Sequence, residues 1–153
     1  MSEHKATIRW TRTGPDFLDG QYSREHTWSF DGGITLPASP APSNVPAPYS
    51  NPAHVDPEEA FVAAISSCHM LTFLNVAWKQ GFQVDRYEDE ALGVMTRHGA
   101  GVPWISLITL HPKIAYSGRK LPTPVDEDEL HRLAHEQCYL ANSVKTDVKI
   151  RRA

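Results

Sequence analysis

Cysteine is scarce: the 153 residues hold two, Cys68 and Cys138, too few for the disulfide framework of a small secreted domain. No apolar run reads as the roughly 18 residues that a membrane span needs. The first ten residues are polar and charged where a signal peptide carries an apolar centre. Basic excess is absent as well. Fifteen Lys and Arg against 18 Asp and Glu give a net charge of −3, which leaves no electrostatic footprint for nucleic acid. There is no glycine-rich phosphate loop, no G-x-S-x-G elbow and no H-E-x-x-H. Internal repeats are also missing. These absences lead to the expectation of a cytoplasmic protein with neither nucleic acid nor a membrane as partner, in a compartment where thiols stay reduced. Two cysteines there are buried bystanders, catalytic groups or metal ligands.

What is present fits one domain over residues 1–153, with 41% hydrophobic residues to build one core. Ala6, Ile8 and Trp10 alternate with polar neighbours, the pattern of a half-buried strand. Trp28 and Phe30 lead through Asp31-Gly32-Gly33 to Ile34 and Leu36, a hairpin. Prolines then crowd residues 37–52, where the fixed φ angles and missing donors predict an ordered surface loop. Asp56 caps a long helix, with Pro57 at its first position and Glu59 closing a capping box; it runs to about Gln80 and stops at Gly81. Its middle is apolar on nearly every side, which predicts a helix inside the protein. Strands are expected over 84–96 and 104–116, then a second helix from Thr123-Pro124 with the stripe Leu130, Leu133, Ala134 and Ala141. Val144, Thr146, Val148 and Ile150 alternate in a closing strand. The order predicts an α+β fold, helices packed on an antiparallel sheet.

Cys68 lies at the centre of the long helix, flanked by Ser66, Ser67 and His69. A small core hydrophobe is the plain alternative for such a residue, but the flanking residues make the helix polar around the sulfur. A thiol attacks only as thiolate, so a nucleophilic Cys68 requires a cation or donors nearby. Cys138 falls near one edge of the second helix's stripe. Two cysteines on helices facing one core could meet, and the second would then resolve a sulfenic acid formed on the first. A metal site competes: His131, His135 and Cys138 stand at i, i+4 and i+7, a spacing able to aim all three at zinc. Solvent-facing histidines explain the same pattern. Asp85, Glu88, Asp89 and Glu90 read as a solvated strand end.

The segment Asp56-Pro57-Glu58-Glu59-Ala60-Phe61-Val62-Ala63-Ala64-Ile65-Ser66-Ser67-Cys68 resembles the central helix of the OsmC/Ohr proteins, which include the organic hydroperoxide reductases. That helix likewise opens with Pro-Glu and carries a peroxidatic cysteine ten positions after the glutamate, the spacing from Glu58 to Cys68. The segment from His135 to Val144 resembles the family's resolving-cysteine region, with Tyr139 where the family usually has proline. The resemblance implies a cysteine-based peroxidase acting on organic hydroperoxides, with Cys68 as peroxidatic nucleophile and Cys138 as resolving thiol. It further implies that Arg24 stabilises the thiolate and that Glu58 orients Arg24 by an ion pair, Arg9 and Arg12 being alternatives for the arginine. It implies antiparallel sheets around a long buried central helix in an intertwined homodimer. No cofactor is expected beyond an external thiol or lipoyl-type dithiol reductant. Phe61, Phe73 and Trp78 are expected to wall an apolar substrate pocket. Two other classes remain open, an OsmC-fold metal-binding protein and a non-catalytic binding or stress protein.

Overall fold

The computed structural model describes residues 1–152. They form two compact units, Met1–Ala60 and Phe61 onward, described in turn.

The first unit is a three-stranded antiparallel sheet, β1 (Ala6–Arg9), β2 (His26–Phe30) and β3 (Thr35–Ala38), in that order. The expected hairpin joins β2 to β3. Its tight reversal needs a left-handed residue, and Gly33 supplies one at φ 88°. The reversal is closed by Gly33 N donating to Phe30 O and Phe30 N donating to Ile34 O. The alternation of β1 sets the register Ile8↔Trp28, but all four β1 residues are exposed rather than half-buried. The proline-rich stretch is a loop after Ala38, largely exposed, with its first two residues in a strand. Pro37 lies within β3, on an edge strand that tolerates its missing donor. Ala38, Ser39 and Ser50 are buried. The segment is folded in by backbone pairing: Ser39 N donates to Val55 O at 3.0 Å, and Asn51 N donates to the Ser39 hydroxyl at 2.8 Å.

Helix α1 (Pro57–Lys79) begins at a complete capping box, Glu59 N donating to Asp56 Oδ1 and Asp56 N to the Glu59 carboxylate. It ends where Gly81 turns left-handed at φ 80°. By length and apolarity alone this helix is sufficient to cross a membrane, against the expectation that no run is. It is not buried on every side either. Only the stripe Ile65, His69, Phe73, Val76 and Ala77 is buried, while Leu71 and Trp78 stand 61% and 72% exposed. One chain covers one face of α1: the packed positions recur at helical spacing and the remaining positions are not buried.

Beyond α1 come β4 (Gln83–Asp89), β5 (Leu92–Thr96), β6 (Trp104–Leu110), β7 (Pro112–Ser117), helix α2 (Pro124–Gln137) and β8 (Asp147–Ile150). The two long strands expected here are each broken, at Glu90-Ala91 and at His111. β4 pairs antiparallel with β7, and β5 with β6. β8 joins β6 in parallel, a correction to the all-antiparallel expectation. The long connection through β7 and α2 gives the chain the crossover a parallel pair requires. The C-terminal half of α1 packs Phe73, Val76 and Ala77 with Phe82, Leu130 and Ala134; its N-terminal half packs Ile65 with Ile108, Leu110 and Val148. Each Val, Leu, Ile or Phe side chain among them contributes about 1.5–3 kcal/mol on burial, the two alanines less. At Gly93 in β5 a Cβ would stand 2.5 Å from Val62 Cγ2 of α1, so glycine lets strand and helix meet.

Candidate functional site

The two sulfurs meet. Cys68 Sγ and Cys138 Sγ are 3.0 Å apart with no bond between them. Cys68 rides in the middle of α1, half-buried. Cys138 is not within α2 but one step past it, as its C-cap, at ψ 114°, and is fully buried. Burial, with the hydrogen bond to Cys68 second, pushes the Cys138 thiol up to about 11. Cys138 therefore stays a neutral S–H donor at neutral pH. Past it the chain makes a turn that wraps both sulfurs. Leu140 N donates to Cys68 Sγ and Ala141 N to Cys138 Sγ, each at 3.5 Å. Cys68 opens onto a cleft of about 1190 Å³ whose walls include Ala64, Leu71, Thr72, Tyr139 and Leu140. The aromatic wall expected from the sequence is not there. Phe73 is a core residue, Phe61 packs on the second core cluster, and Trp78 lies outside the lining.

The polar flank of Cys68 is used elsewhere. The Ser66 hydroxyl makes a short hydrogen bond to Asp89 Oδ2, and Asp89 Oδ1 accepts from His111 N at 2.6 Å. Asp89 is thus a half-buried pin between α1 and the corner joining β6 to β7, not part of a solvated strand end. His69 Nε2 lies 3.1 Å from His131 Nδ1, with the two rings stacked. His131 is 4% exposed, which corrects the solvent-facing expectation. Burial, with other histidines second, lowers His69 to about 4 and His131 to about 3, so both stay neutral. His131 Nε2 is 4.0 Å from Glu127, whose carboxyl burial pushes up. His131 thus turns to His69 rather than to Cys138. Among the described residues no three His, Cys, Asp or Glu side chains are arranged to hold a metal ion. The pair could have been read from sequence: His69 falls at i+4 from Ile65 and i−4 from Phe73, on the one stripe that packs.

In the first unit the Arg24 guanidinium lies over the Tyr22 ring, 4.1 Å from its centroid, and donates to Tyr22 O at 3.1 Å. It forms part of an aromatic cup of about 410 Å³ with Trp10, Phe17 and Tyr22. Glu58 accepts from Asn44 Nδ2 at 3.1 Å through Oε1, while its Oε2 is buried with no partner among the described residues. Arg24 and Glu58 are not an ion pair within this chain. Each has a different neighbour, a ring for the cation and an amide for the carboxylate.

The sequence profile of the OsmC-like protein family matches residues 50–152. This chain belongs to that family. The OsmC-like chain is 47% identical to an OsmC-like protein of unknown function from Vibrio cholerae, over 100% of both chains at a TM-score of 0.95. The same fold is found at 15% identity in an organic hydroperoxide resistance protein OsmC from Legionella pneumophila, covering 100% of this chain and 98% of that one at a TM-score of 0.75. It recurs at 21% identity in the organic hydroperoxide resistance protein OhrB of Bacillus subtilis, covering 99% and 98% at a TM-score of 0.68. No curated protein matches the OsmC-like chain.

Proposed function

We propose that this OsmC-like chain is a cytoplasmic thiol-dependent peroxidase that reduces organic hydroperoxides to alcohols. The observation that carries the reading is the pair of free sulfurs 3.0 Å apart, one facing a cleft and one fully buried. The names of the Legionella and Bacillus neighbours agree with it. The Cys68 thiolate attacks the outer oxygen of the hydroperoxide. The O–O bond breaks, the alkoxide leaves and takes a proton, and Cys68 becomes a sulfenic acid. Cys138 then gives its proton to the departing hydroxide and attacks that sulfur as thiolate, so that water is expelled and a disulfide closes. A bonded pair sits near 2.05 Å, so the sulfurs need close by only about one ångström. An external dithiol of the lipoyl type returns two electrons and two protons and leaves as its own disulfide.

The two roles differ because the environments differ. Cys138, held neutral by burial, does not compete for the first step. Cys68 has the S–H of Cys138 and the amide of Leu140 placed to solvate its charge. Arg24 and Glu58 enter as the cation and its orienter, supplied between two copies of the chain. The rise of α1 separates Glu58 and Cys68 by about 15 Å, more than one arginine spans. The uncovered face of α1 with Leu71 and Trp78 supports a homodimer, and the partnerless Glu58 oxygen supports an incoming cation.

Ala64, Leu71 and Leu140 give the cleft apolar wall for an alkyl tail, worth about 0.8 kcal/mol per CH₂ buried. The test is consumption of an alkyl hydroperoxide and of hydrogen peroxide with a dithiol, comparing wild type with Cys68→Ser. The expected result is kcat/KM for the alkyl substrate about tenfold above that for hydrogen peroxide, two CH₂ groups' worth, and no activity in the variant. Consumption by Cys68→Ser at the wild-type rate would end the proposal.

A further inference from the structure

The turn after α2 does more than deliver Cys138. From Cys138 to Ser143 its polar groups are tied down locally. Asn142 Nδ2 donates to Glu136 O and to Cys138 O, both at 2.9 Å, and Asn142 N donates to Cys138 O at 3.1 Å. Ser143 N donates to Leu140 O at 3.0 Å, and the Ser143 hydroxyl to Tyr139 O at 2.7 Å. Two amides go to sulfur instead, Ala141 N to the turn's own Cys138 Sγ and Leu140 N out of the turn to Cys68 Sγ. A neutral thiol is a weak acceptor, and a thiolate is a strong one. A fixed amide spent on sulfur is therefore worth most when that sulfur is charged.

We infer that the Leu140 backbone N–H is a catalytic donor to the Cys68 thiolate, and that Asn142 is the positioning residue that holds this amide on the sulfur. The inference rests on the peroxidase reading for its purpose but not for its geometry. In this arrangement the turn presents one N–H to each sulfur, Leu140 to Cys68 and Ala141 to Cys138. Because the amide is fixed by the backbone before reaction, it loses no side-chain entropy in solvating the charge. The donor acts on the ground-state thiolate and leaves with the sulfur's charge when the sulfenic acid forms. Asn142 touches neither sulfur. Its amide joins the last carbonyls of α2 to the turn, so removing it lets the Leu140 N–H swing away while the side chains of the cleft remain.

Proline at position 140 deletes the N–H at a φ the ring accepts. Leu140 already has φ −72°, within the range a proline ring imposes, and its side chain is partly exposed at 38%. The measurement is the rate of Cys68 alkylation by iodoacetamide at fixed pH, mapped by peptide mass, alongside single-turnover reaction with an alkyl hydroperoxide. Leu140→Ala, which trims the side chain and keeps the amide, is the comparison. Leu140→Pro is expected to slow alkylation by about tenfold or more, the range for one hydrogen bond to a charged group, and Leu140→Ala far less. In the hydroperoxide reaction, where both variants lose the same cleft wall, the proline variant is expected to be the slower of the two. If the proline chain does not fold, ligation at Cys138 of a synthetic C-terminal segment with an ester in place of the 139–140 amide removes the same N–H.

Asn142→Ala is expected to slow alkylation in the same direction. In the Leu140→Pro background the same change should slow alkylation no further, an outcome that a general loosening of the turn would not give. Equal alkylation rates in Leu140→Pro (or the ester) and Leu140→Ala would overturn the inference. Slower alkylation in the amide-deleted chain, with wild type inert toward hydroperoxides, would uphold the cradle and overturn the peroxidase reading.

Discussion

Acidification should loosen this protein through two histidines well before its carboxylates are titrated. His69 and His131 are buried against each other at 3.1 Å, and the fold holds them near 4 and 3 in place of the ordinary 6.5. A lowered histidine means that the unfolded chain takes up the proton first. The stability that neutrality supports is whole above about pH 6.5 and drains as the pH falls toward 4. Each such histidine costs about 1.4 kcal/mol per pH unit in that window. Between pH 6.5 and 5 the loss is about 2 kcal/mol if one ring stays neutral throughout and about 4 if both do. Set against a usual total of about 5–15 kcal/mol, either is large. The charged and titratable neighbours are His135 and Asp89 around His69, and Arg152 and Glu127 around His131. Glu127, lifted by burial, gains its proton first in the folded state and opposes the trend slightly. The assay is urea unfolding at pH 7.5 and 5 with ionic strength and protein concentration fixed. His131→Asn keeps a polar group near Nδ1 but does not titrate, so its loss between the two pH values should shrink by about 2 kcal/mol. Equal losses in wild type and variant would refute the argument.

Cys138→Ser should complete one turnover and stop with Cys68 as a trappable sulfenic acid; steady cycling of that variant with a disulfide-specific dithiol would exclude the two-cysteine route. Gly93→Ala should destabilise by about 1–3 kcal/mol through overpacking, since its methyl would stand 2.5 Å from Val62 Cγ2. Pairing it with Val62→Ala should recover part of that in denaturant titration, and simple additivity of the two losses would show the clash is relieved elsewhere. Mixed dimers of Cys68→Ser with Arg24→Ala subunits should regain roughly a quarter to a half of wild-type activity if the site is shared between copies. No regain in dimers proven to be mixed would place it within one chain.

The parts of the fold that were legible from sequence are those decided by neighbours in the chain. Asp56-Pro57 and Glu59 mark the start of α1, Gly33 the hairpin, and Thr123 with Asp126 the start of α2, whose capping box forms as the spacing predicts. The pairing of β8 with β6 in parallel was not legible, because alternation in 144–150 fixes a strand's faces and not its partner. Nor were the breaks at Glu90-Ala91 and His111, which are set by Asp89 reaching two distant donors. Both cysteines could be singled out from their settings on the two helices. That Cys138 caps α2 instead of riding on its edge depends on the turn bonds of Asn142, which no local pattern announces. The half-covered girth of α1 was misread because apolarity on every side looks the same for a helix buried by one chain and for one with a face left over.

The Asp89 pin has a consequence for how substitutions in this protein are interpreted. One carboxylate takes Ser66 from the helix turn just before Cys68 and His111 N from the corner between two strands. The placement of the sulfur is therefore set partly from the end of β4, by a residue that neither lines the cleft nor contacts either thiol. A residue-by-residue scan scored on turnover alone would rank Asp89 beside the thiols and invite its assignment as a proton donor or acceptor. Its loss would instead shift Cys68 along the helix axis relative to a turn that stays where α2 holds it, so the defect would appear as a failure of two atoms to meet.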